Sequence, residues 1–402
     1  MQTISLDGRA AWIRLGISLL IAVVGNVGMW AIVLILPSVQ AEFGVDRADA
    51  SLPYTLTMVG FALGNYFIGR AVDRFGVTRS LIGAAITIAA GNALAAASHS
   101  VTMLAAAQLV VGFGTAASFG PLIADVSQWF MRRRGIAVAL VASGNYLSGA
   151  IWPMLLSGVL AEHGWRVVYL ILAAITLAVV IPLALRLRHG VPEEASQIAS
   201  GAAAIRAAAT GLSPRALQWL LGLAGVGCCV AMSMPQVHIV AYCVDLGYGP
   251  AVGAEMLSLM LLGGVVSRIA SGLLADVLGG VRTLLIGSAL QGLALVLYLP
   301  SGGMTSLYIV SMIFGLSQGG IVPSYALIVR EYLPAKEAGQ RVGFVMMATI
   351  VGMALGGWMS GWIYDLTGSY RMAFINGIGW NVLNLGIVLL VLSRSRPRAL
   401  PA

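Results

Sequence analysis

Long, nearly uncharged apolar runs narrow the possible folds of this chain more than any other feature. They are about 18 to 26 residues long, enough for each to cross a bilayer as a helix. Only 9% of the 402 residues are charged and 59% are hydrophobic, with a mean hydropathy of +0.92. A water-soluble domain of this size carries about 25% charged residues, so a compact soluble fold is excluded. The 50 glycines suit helices packed closely in a membrane, where small residues let backbones approach. The first run, from Trp12 to Pro37, is too long for the hydrophobic core of a cleavable leader, which is about 7–15 residues. A retained first span is expected there.

Twelve spans are expected, over about 12–37, 52–72, 80–97, 102–127, 136–160, 165–185, 216–244, 252–275, 283–300, 305–330, 340–364 and 370–392. The longest polar stretch, Arg186 to Pro214, lies between the sixth and seventh. It divides the chain into an N-terminal bundle (1–188), a cytoplasmic linker (189–214) and a C-terminal bundle (215–402). With the N-terminus placed in the cytoplasm, 19 of the 23 Lys and Arg residues fall on inner segments. Arg47, Arg166 and Arg371 fall outside, and Arg268 falls inside a span. Basic residues concentrate on the cytoplasmic side of membrane proteins, so both termini are expected there. The same bias accounts for the net charge of +8 without a nucleic-acid partner.

The chain also repeats itself. Gly69, Asp73, Gly76 and Arg79 recur 203 positions later as Gly272, Asp276, Gly279 and Arg282. The same offset relates Gly112 to Gly315, and Glu42-Phe43-Gly44 to Asp245-Leu246-Gly247. Two sets of six spans related in this way form a transporter architecture, with the substrate site near the bilayer midplane. Prolines 121, 235 and 323 lie within spans, where kinks are expected. Cys228, Cys229 and Cys243 lie in or near one apolar run, with neither CxxC nor Cys/His spacing, and read as small apolar filler. No phosphate-binding loop and no nucleophile–base pair stands out, so neither ATP drive nor hydrolysis is expected, and no cofactor or metal.

Gly69-Arg-Ala-Val-Asp73-Arg74-Phe-Gly76-Val-Thr-Arg79 matches GxxxDRxGxx[RK], the loop 2–3 motif of the major facilitator superfamily. The resemblance covers essentially the whole chain. It implies an all-α membrane protein of twelve transmembrane helices in two pseudo-symmetric six-helix bundles, working as a monomer. Trp129-Phe130-Met-Arg132-Arg133-Arg134-Gly135-Ile-Ala, followed by Ser143-Gly144, is similar to the WFxxxRGxA…SG pattern of the oxalate:formate antiporters and monocarboxylate porters. Pro235-Gln236-Val237-His238 with Asp245-Leu246-Gly247-Tyr248 resembles their span seven. Arg268 sits where these families place a substrate-binding arginine. Three departures stand out. Gly264 occupies the place of an aspartate found in some animal monocarboxylate porters, no lysine lies within span one, and Gln108 replaces an arginine of many drug:proton antiporters.

The candidate residues follow. Arg268 is the one charged side chain deep in a span. An ionisable group there is costly and is a functional candidate by default, and a guanidinium binds a carboxylate through two parallel hydrogen bonds. Snorkelling or a structural ion pair is the alternative. The matching position in the first half is Asn65, so only one half carries the charge. His238 and Asp245 are seven residues apart on one helix face and are candidates to carry a proton. Asp245 also fits a surface carboxylate at the helix end. Phe119, Asn145, Tyr146, Tyr325 and Trp358 are candidates to shape a small polar cavity, packing being the alternative for each. Gly69, Asp73, Arg74, Gly76, Arg79, Gly272, Asp276 and Arg282 form a candidate gate. Its aspartates can meet helix N-termini, and its arginines can meet a carboxylate such as Asp125.

A single buried cation favours a monocarboxylate, lactate- or pyruvate-like, over a dicarboxylate. The expected activity is secondary transport of that anion with a proton, by alternating access. The expected setting is a lipid bilayer, a bacterial inner membrane. An oxalate:formate-type exchanger, an efflux pump and a non-transporting receptor remain as alternatives.

Overall fold

The computed structural model describes residues 6–45, 47–190, 201, 203–206 and 210–394. Most of the polar stretch expected to link the halves, Pro192 to Gln197 included, lies outside the described residues, as does Asp46. No strand occurs among the described residues. The helices are α1 (Arg9–Gly25), α2 (Val27–Phe43), α3 (Arg47–Phe75), α4 (Val77–Ala96), α5 (Val101–Thr115), α6 (Gly120–Trp129), α7 (Arg134–Ile175) and α8 (Ile181–Arg186). After these come α9 (Pro214–Asp245), α10 (Pro250–Leu278), α11 (Gly280–Tyr298), α12 (Met304–Gln318), α13 (Ile321–Tyr332), α14 (Ala338–Thr367) and α15 (Tyr370–Arg394).

Eleven stretches among the described residues are long and apolar enough to cross a membrane. The twelfth expected span lies in α3, which is 29 residues long but less apolar because Thr57, Asn65 and Tyr66 interrupt it. Several expected spans are not single helices. The first is broken at Asn26, between α1 and α2. The Asn26 side chain Nδ2 donates to Ala22 O at 2.7 Å and to Ser118 O at 3.1 Å, tying this break to another. The fourth span breaks at Phe119 (φ −125°, ψ −99°), between α5 and α6. The tenth breaks at Gly319-Gly320, between α12 and α13. Pro121 and Pro323 lie in the first turns after those breaks, where a missing N–H costs little. Pro235 lies inside the continuous α9. Spans five and six run on as α7, bent at Gly164, whose φ of 78° suits glycine.

The described chain falls into two compact units. The first comprises Met1–Met131, Leu140–Gln197 and Ala335–Met347. The second comprises Arg132–Ala139, Ile198–Pro334 and Ala348–Ala402. Each half of the sequence thus contributes the first turns of one helix to the other half's unit.

The repeat is physical as well as sequential. In the first unit a Cβ on Gly112 of α5 would lie 2.0 Å from the Thr57 carbonyl oxygen of α3. In the second, a Cβ on Gly315 of α12 would lie 2.4 Å from the Met260 carbonyl oxygen of α10. Both members of each pair are related by the 203-residue offset. The two helix pairs therefore meet at the same register, at a distance only glycine allows.

Two ion pairs in the first unit differ in weight. Arg14 of α1 and Asp125 of α6 are buried, with two hydrogen bonds of 2.9 Å between them. Arg166 and Glu42 pair at 2.7 Å, but their side chains are 37% and 39% exposed. The Arg166 hydrogen bond, opposed by burial and helped by Trp165 and the Arg166 charge, holds the Glu42 carboxyl below its ordinary value. Its folded pKa is thus depressed, so its stabilisation is present at neutral pH and is lost as pH falls through that lowered value. Solvent screens this pair, and Glu42→Gln is expected to shift unfolding free energy by less than about 1 kcal/mol, checked by denaturant unfolding in detergent at pH 7.

Candidate functional site

The motif carboxylates hold helix N-termini. Asp73, near the end of α3, accepts hydrogen bonds from the Gly339 and Gln340 backbone N–H groups at 2.8 and 2.7 Å, at the start of α14. Asp276 accepts from the Gly135 N–H and, at 3.1 Å, from the Ile136 N–H, at the start of α7. Each carboxylate satisfies two of the N–H groups that a helix start leaves without intrahelical partners, at the positive end of the helix dipole. The motif glycines allow the approach. A Cβ on Gly69 would lie 2.3 Å from Gly339 O, and one on Gly272 would lie 2.5 Å from Ala139 Cβ. Gly76 and Gly279 have φ of 82° and 81°, a turn that L side chains resist.

The motif arginines do not reach Asp125. Arg74, Arg79 and Arg282 are exposed, and Arg74 lies over its neighbour Phe75. Asp125 is taken by Arg14, whose Nη1 also donates to Leu187 O and His189 O at 3.1 and 3.0 Å. Arg14 further lies over the Trp129 ring at 4.5 Å. The expectation that Asp125 serves the motif arginines is corrected on this point. The carboxylate is inside the unit, where α1 meets α6, and only a side chain from α1 meets it there.

Removing a motif carboxylate exposes two helix-start N–H groups. Asp73→Ala is expected to speed hydrogen exchange of the Gly339 and Gln340 amides by about two- to thirtyfold, since such caps are worth about 0.5–2 kcal/mol. Unchanged protection in exchange mass spectrometry would contradict the contact.

Arg268 is 4% exposed on α10. Its Nε donates to the Gly319 carbonyl oxygen at 2.9 Å, at the break between α12 and α13. The two helices touch there: a Cβ on Gly319 would lie 2.0 Å from Gly264 O and 2.8 Å from Arg268 N. In the first unit Asn65 does the matching job, its Oδ1 accepting from Gly120 N at 3.1 Å beside the α5–α6 break. Both repeats thus place a polar side chain at a broken helix. The amide of Asn65 is engaged at both ends, since Nδ2 donates to Phe61 O at 2.8 Å. The guanidinium adds a fixed charge and more donors.

The other candidates are scattered. His238 Nε2 lies 2.9 Å from Gly357 O, and Nδ1 lies 3.3 Å from the Tyr370 hydroxyl. A carbonyl only accepts, so the neutral ring carries its hydrogen on Nε2, and Nδ1 accepts from Tyr370. Asp245, at the exposed end of α9, accepts from the Tyr364 hydroxyl. Tyr364 stacks on Tyr370 at 4.4 Å, so His238 and Asp245 are joined through two tyrosines rather than directly. Asn145 accepts from Trp30 Nε1 through both its backbone oxygen and Oδ1, at 3.1 Å each. Tyr146 beside it is half-buried. Phe119 is buried at the α5–α6 break against Phe61.

Two candidates differ sharply in burial. Tyr325 is fully buried within its unit and donates to Asn384 Oδ1 at 2.8 Å, a bond internal to the helix packing. Trp358, on α14, is 65% exposed and stacked on Trp362. The sequence reading also passed over a part-buried amide pair, Gln236 Nε2 to Gln318 Oε1 at 2.7 Å. The two residues are 82 apart, and a glutamine that ends an apolar run carries no pattern of its own.

The sequence profile of the Major Facilitator Superfamily matches residues 18–306 and 244–402. Monocarboxylate transporter 13 of Bos taurus is 28% identical over 326 residues, 80% of this chain and 75% of that protein. Monocarboxylate transporter 11 of Homo sapiens is 31% identical over 310 residues, 73% of this chain and 63% of that protein. Among solved structures, the Escherichia coli fucose:proton symporter FucP superposes with a TM-score of 0.73 at 15% identity, covering 96% of this chain and all of that one. The human organic anion transporter MFSD10 gives 0.73 at 16% identity, covering 94% and 98%. The helix count, the 203-residue repeat, the paired aspartates at helix starts and the profile match lead to one conclusion: this chain is a membrane transporter, not an enzyme, and belongs to the Major Facilitator Superfamily.

Proposed function

We infer that the protein is a secondary transporter of a small monocarboxylate, lactate- or pyruvate-like, moved together with a proton by alternating access. The observation that carries the reading is Arg268, a guanidinium 4% exposed within a spanning helix. A charge in that setting is retained at a cost of at least about 2.5 kcal/mol, and a carboxylate is its natural complement. The Nε bond to Gly319 O holds the guanidinium at the break between α12 and α13, and the anion is assigned to that guanidinium. The names of the two relatives support the same substrate class.

His238 is the group assigned to the proton, with Asp245 at the mouth of the same tyrosine cluster. A proton carried with the anion makes the cargo neutral, so the loaded and empty protein reorient with the same net charge and transport is electroneutral. The Asp73 and Asp276 latches are the contacts that break and re-form as access alternates. Both termini are assigned to the cytoplasm on the distribution of basic residues.

The test is uptake of labelled lactate into proteoliposomes, with and without an inward proton gradient. Acceleration by the gradient is expected. Transport that ignores the gradient but needs an internal carboxylate would replace the symporter with an exchanger. His238→Gln is expected to lose the gradient's acceleration, by about tenfold or more given the usual weight of a positioned proton carrier, while lactate:lactate exchange persists. Equal gradient response in His238→Gln and wild type would remove His238 from this role.

A further inference from the structure

Beside the break that holds Arg268 lies a buried amide with an unmet donor. Gln318 is the last residue of α12 and is 1% exposed. Its Oε1 accepts from Gln236 Nε2, on α9, at 2.7 Å, while its own Nε2 is buried without a hydrogen-bond partner. The next residue, Gly319, is the one whose carbonyl oxygen accepts from Arg268 Nε. Leaving such a donor unsatisfied costs about 1–3 kcal/mol, which packing alone would avoid with leucine. The repeat does not demand the amides either. The positions matching Gln236, Arg268 and Gln318 in the first half are Val33, Asn65 and Thr115. The amide pair and the guanidinium are therefore specialisations of the same half at the same helix break.

We propose that Gln318 is a specificity-determining residue: its Nε2 donates to an oxygen on the carbon next to the carboxylate that Arg268 binds, and Gln236 is a positioning residue that fixes the Gln318 amide. The proposal rests on the carboxylate reading given above. In a 2-hydroxy acid the hydroxyl and a carboxylate oxygen lie within about 3 Å of each other, at hydrogen-bond spacing. Donors carried by one residue and by the neighbour of the next are suited to read both. A site built to bond a hydroxyl disfavours an analogue that lacks it, because its own polar group is then left unpaired.

Lactate and propionate test this, since they differ only in the C2 hydroxyl. Uptake of each is measured in proteoliposomes for wild type, Gln318→Leu, Gln318→Asn and Gln236→Leu. Wild type is expected to prefer lactate, and Gln318→Leu to lower the lactate-to-propionate ratio of kcat/KM about tenfold, through lactate's KM. Gln236→Leu is expected to lower the ratio less than Gln318→Leu does. Gln318→Asn keeps the polarity while withdrawing the amide by one methylene, and gives the same reading should the leucine variant fail to fold. A ratio unchanged in the Gln318 variants, or both acids slowed alike, would overturn this proposal and leave Arg268 standing. A wild-type protein that moves neither acid would overturn the carboxylate reading itself, and this proposal with it.

Discussion

Arg268→Gln is expected to abolish lactate binding and uptake, with kcat/KM falling at least about 30-fold. The magnitude follows from the setting. Truncating one partner of a buried, hydrogen-bonded charge pair costs about 2–5 kcal/mol, and every 1.4 kcal/mol is about tenfold. Arg268 is 4% exposed, so water does little to replace the lost charge. Glutamine keeps a donor for the Gly319 carbonyl oxygen that Arg268 Nε now serves, which separates a binding role from a bracing one. A brace would show as lost stability with substrate KM unchanged. An anion site shows as lost affinity in a protein that still purifies as a folded species. Arg268→Lys is expected to fall in between, because it keeps the charge and loses the two-pronged geometry.

The second large effect is on stability. Arg14→Leu is expected to destabilise the protein by about 3–5 kcal/mol, because it leaves the Asp125 carboxylate buried and unpaired. Arg14 is 6% exposed, and it joins Asp125 through two bonds of 2.9 Å and the chain after α8 through two carbonyls. Arg14→Leu combined with Asp125→Leu is expected to recover most of the loss, since a buried pair replaced by apolar residues is often neutral. Denaturant unfolding in detergent for the two single variants and the double variant measures this directly. If Arg14→Leu cost no more than the exposed Glu42–Arg166 pair does, the Arg14–Asp125 pair would not be a stabilising contact.

The sequence revealed the fold because hydropathy and the 203-residue offset are long-range averages, insensitive to local detail. It also revealed Arg268, because a charge inside an apolar run is conspicuous on a one-dimensional reading. What escaped was local or non-local in ways that averages miss. The breaks at Asn26, Phe119 and Gly319 lie inside long runs that carry no charged residue at those points. The partner of Asp125 lies 111 residues away on α1, so the motif arginines nearby were the natural but mistaken choice. Tyr325 and Trp358 are aromatic residues in spans, and composition does not tell which face of a helix they occupy. Structure separates them: Tyr325 is buried and bonded to Asn384, while Trp358 is exposed and stacked on Trp362. The motif aspartates show the converse. Their position was legible, but that each caps a helix start more than 100 residues away emerges only from the packed chain.

The most direct test of the central claim is accumulation of labelled lactate in proteoliposomes under an inward proton gradient, wild type beside Arg268→Gln at equal amounts of folded protein. The account predicts gradient-driven accumulation by wild type and none above protein-free vesicles by the variant. Equal accumulation by both would contradict it, and would return Arg268 to bracing the break at Gly319.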